Sequence, residues 1–92
     1  MKAENNSKVD LFDLRTEQGF LFPPRFIGKY KKLITRAGFK VARVIKNPFP
    51  GVALDYTVRG HQMLVVSVDN DDQWVEIFML VKKWEKMLEN EN

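Results

Sequence analysis

Apolar residues change their spacing several times along the chain, and each change marks an element. Between Arg25 and Gly38 the chain reads "RFIGKYKKLITRAG", with Phe26, Ile27, Tyr30, Leu33, Ile34 and Ala37 at the three-and-four spacing of one helical face. Pro23 and Pro24 stand in front, where a proline loses no intrahelical hydrogen bond, and Gly38 supplies a stop. This spacing predicts a helix. Downstream, "FKVARVIK" (39–46) predicts a strand that ends at "NPFPG", because two prolines and a glycine forbid continuation. "VALDYTVR" (52–59) alternates, with Val52, Leu54, Tyr56 and Val58 on one face. Gly60-His61 turns into "QMLVVSV" (62–68), and "DNDD" (69–72) turns into "QWVEIFML" (73–80), which predicts two more strands. The tail "VKKWEKMLEN" returns to helical period through Val81, Trp84, Met87 and Leu88.

The order predicts an α+β domain, a four-stranded antiparallel meander sheet with a helix before it and a helix after it packed on one face. The expected organisation is a disordered N-terminal tip (1–8), an N-terminal arm (9–22) and a single α+β domain (23–90). With Val75, Ile77 and Met79 pointing at the helices, Trp74, Phe78 and Leu80 point away. That outer sheet face is more apolar than water tolerates, so the arm, a second subunit or a ligand has to cover it. Trp74 and Phe78 are thus candidates for a base-stacking or dimer face, and a homodimer is one of the assemblies to test.

Composition bounds the chemistry. The chain has 92 residues, 45% hydrophobic, with seven Phe, two Tyr and two Trp, enough for one small core. There is no cysteine, which excludes disulfides and thiolate metal sites. No apolar run approaches the roughly 18 residues of a membrane span and no charged-then-apolar leader is visible, so the expected protein is soluble and cytoplasmic, without membrane contact.

Charge changes the picture more. The net charge is only +3, but it is segregated: residues 18–54 carry eight basic and no acidic side chains, whereas residues 55–92 carry four basic and eight acidic ones. Such segregation creates a local field that a mixed surface would not. At about 100° per residue, Arg25, Lys29, Lys32 and Arg36 fall within an arc of about 60°, beside the apolar face. Lys31 lies off this line, and Lys40, Arg43 and Lys46 on the following strand extend it if that strand lies alongside. Like charges three and four apart mildly destabilise a helix, so a line of them without interspersed Glu asks for an anionic partner. Lys and Arg at successive turns are the groups that contact a phosphate backbone.

Catalytic groupings are poor. His61 is the one histidine and sits in a turn; no nucleophile has a base fixed beside it by sequence. Asp69, Asp71 and Asp72 lack the glycine and the bidentate Glu of a calcium loop, and they read as a turn. No cofactor and no metal is expected.

Two segments resemble families of toxins. "LITRAGFKVARV" is similar to the helix–AGF–strand opening of small mRNA-interferase toxins with a double-stranded-RNA-binding-like fold, although their next-turn histidine is replaced by "KNPFP". "MLVVSVDNDDQWVEIFMLVKK" is similar to the terminal hairpin and basic exit of RelE-type ribonuclease toxins, without that family's two long N-terminal helices. The second resemblance would implicate Arg59, His61, Lys82 and Lys83. "QGFLF" (18–22) resembles the pentapeptide that docks on bacterial sliding clamps, but its phenylalanines also suit an arm that buries Phe20 and Phe22. The expectation is therefore a non-enzymatic nucleic-acid-binding protein, DNA or RNA, acting through Arg25, Lys29, Lys32, Arg36, Lys40 and Arg43. Its alternatives are a protein-binding inhibitor or regulator of phage or mobile-element type, gripping an acidic protein surface, and a toxin-type ribonuclease.

Overall fold

The computed structural model describes residues 12–51 and 55–90. The expected disordered tip (1–8), the start of the arm (9–11) and residues 52–54 of the second expected strand lie outside them. The described residues form three strands, β1 (Glu17–Phe22), β2 (Lys40–Ile45) and β3 (Gln62–Ser67), and two α-helices, α1 (Ile27–Arg36) and α2 (Asp71–Asn90). The protein is α+β with a three-stranded antiparallel sheet, in the order β1-β3-β2. β3 runs antiparallel to both neighbours, so β1 and β2 are parallel to each other. α1 carries the chain from one sheet edge to the other, past the place that β3 later fills.

This replaces the four-stranded meander in three respects. First, the arm contributes a strand: residues 17–22 pair with β3 over the full register from Glu17–Ser67 to Phe22–Gln62. Second, the described part of 52–59 is not a strand. Tyr56–Val58 form a 3-10 turn, which Asp55 anchors by accepting hydrogen bonds from the Thr57 N–H (2.8 Å) and hydroxyl (2.7 Å). Such side-chain bonds offer the backbone an alternative to a ladder.

Third, 73–80 is helical. Asn70 Oδ1 accepts the Gln73 N–H at 2.9 Å, and Gln73 Oε1 reaches back to the Asp69 N–H at 2.8 Å. Two orphan donors at the helix start are thereby satisfied, and Asp71 and Asp72 sit where the helix dipole favours negative charge. A continuous apolar run has no period of its own, and the cap decides it.

β3 is the spine. Met63, Leu64, Val65 and Val66 are all buried, so the central strand is covered on both faces. Leu64 and Val66 join one cluster with Phe22, Phe26, Tyr30, Ile34 and Phe39, and with Ile77, Val81, Trp84 and Leu88 of α2. The Phe22 and Tyr30 rings stack at 3.7 Å between centroids, locking β1 to α1.

Met63 and Val65 alternate with those residues and turn to the opposite face, together with their register partners Leu21 and Gly19 on β1 and Ile45 and Arg43 on β2. Here the arm returns. A Cβ on Gly19 would lie 2.7 Å from Met63 Sδ and 2.9 Å from Phe12 Cε1, so Phe12 closes over this face only because residue 19 has no side chain. No described helix is long and apolar enough to cross a membrane.

Candidate functional site

The local sequence around α1 holds its outer face in a fixed direction. Pro23 precedes a 3-10 turn over Pro24–Phe26 that feeds straight into the helix. At the other end Gly38 takes φ +97°, a conformation that favours glycine. Its N–H bonds to the Thr35 carbonyl at 3.0 Å, and the Phe39 N–H bonds to the Ile34 carbonyl at 3.2 Å. This paired closure satisfies helix-end carbonyls and inserts Phe39 into the core as β2 begins. Inside, Phe26, Tyr30 and Ile34 are buried at successive turns. The rotation of the helix is therefore set, and what lies opposite must face water.

What lies opposite is basic. Arg25, Lys29, Lys32 and Arg36 are all exposed, as the helical spacing required. Arg25 lays its guanidinium over the Phe26 ring at 4.7 Å, which steadies it without neutralising it. The first turn of α1 contains no acidic residue, so the helix forgoes the dipole stabilisation an Asp or Glu would give there. A shallow groove runs along the seam between the helices, lined by Lys29, Lys32, Leu33 and Arg36 from α1 and by Met87 and Leu88 from α2. Lys31 lies on a neighbouring surface with Gly28 and Thr35.

The two β2 residues do not extend this line. Lys40 is exposed, but its register partner Ser67 places it on the sheet face turned away from Leu64 and Val66. Arg43 shares that face and reaches across β3 to Glu17, with Nη1–Oε2 at 3.0 Å and Nη2–Oε1 at 3.2 Å. This is a two-pronged ion pair between the sheet edges, with Glu17 the better-buried partner. The Arg43 hydrogen bonds hold the Glu17 carboxyl below its ordinary pKa, helped by the Asp13 N–H at 2.9 Å. The Arg43 charge is thus answered by an acid that lies 26 residues away in sequence. Nothing local signals that pairing.

Trp74 and Phe78 stand on the outer side of α2, 40% exposed each, and not on a sheet. Val75 and Met79 accompany them at 55% and 62%, two residues that the strand reading had turned inward. The Lys82 ammonium lies over the Phe78 ring at 5.4 Å. α2 is consequently apolar on two sides in its first half, one packed on the core and one facing solvent.

The other candidates fare less well. The terminal hairpin behind the ribonuclease resemblance is absent, because 71–90 is one helix; Lys82 and Lys83 leave it as helix-surface residues, while exposed Arg59 and half-buried His61 lie in the turn before β3. Gln18 and Phe22 of the clamp-like pentapeptide are buried in β1. Among the described residues no group of three His, Cys, Asp or Glu side chains could hold a metal ion. No protein-family model, curated protein or solved structure matches this chain.

Proposed function

We propose that the protein binds nucleic acid through the phosphate backbone, with Arg25, Lys29, Lys32 and Arg36 as the contacting groups. The observation that carries this reading is the line of four exposed cations, Arg25 on the 3-10 turn and Lys29, Lys32 and Arg36 on α1 behind it, in two elements without a single carboxylate. Three of them line the α1–α2 seam, whose concavity suits a strand laid along it. Cations at this spacing neutralise successive phosphates and read no bases, so the binding is weakly selective for sequence. Phe26 and Tyr30 do not stack on bases, since both belong to the core.

The test is binding to single- and double-stranded DNA and RNA in parallel, over a range of salt. Affinity should fall steeply as salt rises. No binding at about 50 mM salt removes the proposal. A stoichiometric protein partner that survives nuclease treatment, with no nucleic acid bound, would assign the same cations to an acidic protein surface.

A further inference from the structure

The solvent-facing side of α2 has an order of its own. Measured around the helix from Ile77, at about 100° per residue, Trp74 lies at about 60°, Phe78 at about 100°, Val75 at about 160° and Met79 at about 200°. All four are at least 40% exposed. The apolar set is flanked on the same arc by Asp71 one turn before it and Lys82 one turn after it, both exposed, with Glu85, Lys86 and Glu89 farther along the helix. The stripe thus reads acid, two apolar, two apolar, base, at offsets of zero, three, four, seven, eight and eleven from Asp71.

That order is symmetric about the midpoint between Glu76 and Ile77. Rotating a second α2 by a two-fold axis through this point, antiparallel to the first, sets Val75 level with Phe78 of the copy and Trp74 level with its Met79. The same rotation brings Asp71 level with Lys82 of the copy, and Lys82 level with its Asp71. The two charged positions, about 16 Å apart along the helix, bracket the apolar stripe and close on opposite charges. A parallel arrangement would instead oppose Asp71 to Asp71 and Lys82 to Lys82.

We infer that a second copy of this chain docks here, in an antiparallel α2–α2 pair that forms a two-fold homodimer. The apolar stripe explains why the pair forms, and the charges fix its direction and register. A foreign partner would need neither the palindromic spacing nor the opposite charges at the two ends. The exposed patch amounts to several hundred Å², so the pair buries on the order of 1,000 Å² in total, the size of a weak, reversible interface. The inference is independent of the nucleic-acid reading, which concerns the opposite flank of α2.

Sedimentation of the full chain over about 1–500 µM tests it, a span wide enough to populate a weak, reversible dimer. The wild type should pass from monomer to dimer. Asp71→Lys alone opposes two lysines at each end, and Lys82→Glu alone opposes two acids; each should weaken dimerisation by about tenfold or more. An equimolar mixture of the two variants restores both charge pairs in a heterodimer, and its recovery of wild-type association also shows that both variants fold. Val75→Ser removes apolar contact near the two-fold axis without touching either charge, and should weaken dimerisation as well. A wild-type monomer at every concentration overturns the inference, whatever other protein is later found on this face. So does wild-type dimerisation by the single charge variants, or a mixture that fails to recover.

Discussion

Removing Lys32 and Arg36 together puts the proposed phosphate contacts to a quantitative test. Each neutralised phosphate contributes about −0.9 to the slope of log affinity against log salt on duplex DNA, so four contacts give about −3.6. Raising salt from about 50 to about 200 mM then lowers wild-type affinity about 150-fold. Lys32→Ala/Arg36→Ala leaves two contacts, a slope of about −1.8 and a loss of only about 12-fold over the same range. Both side chains are exposed and neither belongs to the core cluster, so the fold should be unaffected. The assay is fluorescence anisotropy with a labelled duplex at four or more salt concentrations. The control is Arg15→Ala/Arg59→Ala, which removes the same charge from exposed positions on the arm and on the turn before β3. A double variant that weakens binding but keeps the wild-type slope refutes the reasoning, because the two cations would then not be releasing counterions. Equal flattening by the control refutes it too, since net charge and not the α1 line would be the cause.

Two predictions concern the fold that holds this line in place. Asn70→Ala removes the acceptor that caps α2 and should cost about 1 kcal/mol in urea unfolding, whereas Asn70→Asp should stay close to wild type; equal losses would mean that the cap does not decide the helix. Glu17→Gln should lower the urea midpoint near neutral pH, and the gap from wild type should close in acid. The sign follows from Arg43, whose hydrogen bonds depress the folded-state pKa of Glu17 below its ordinary 4.5: the stabilisation is complete above that value and is lost as pH falls through the lower folded value. A gap as wide at about pH 3 as at about pH 7 would show that the ion pair is not its source.

What could be read from the sequence followed from locality. The helix at 27–36 announces itself because its apolar period, the prolines before it and Gly38 after it agree, and all act within one element. Its basic line is legible for the same reason. The α2 assignment failed on a conflict between two local signals. "QWVEIFML" is rich in aromatic and β-branched residues, which suits a strand, and it is apolar on both parities because one helical side faces the core and another faces solvent. "DNDD" (69–72) reads as a turn, yet its Asn70 followed three residues later by Gln73 in front of an apolar run is a helix-start signature. Weighing that cap above the propensity would have recovered the helix. No such rescue exists for β1 or for the Arg43–Glu17 pair. Both depend on β3 arriving between strands that are already apart, and pairing over such separations leaves no trace in local spacing.

The two surfaces are compatible because they point apart. Met87, which lines the seam beside Lys29, Lys32 and Arg36, lies about 150° around α2 from the centre of the Trp74–Met79 arc. A two-fold pair made through that arc therefore leaves both basic lines on its outer flanks, open to solvent. The inferred pairing would also set Asp71, an acid that repels a phosphate backbone, against Lys82 of the other copy. With the proposed phosphate contacts, two identical lines in one particle would gain from each other: once the first engaged, the second would meet its target at a high effective concentration. Contacts that are individually modest and strongly salt-dependent would then become a firmer grip, without any base-specific group. The dimer and the basic line remain separable by experiment, since Val75→Ser touches only the first and Lys32→Ala/Arg36→Ala only the second.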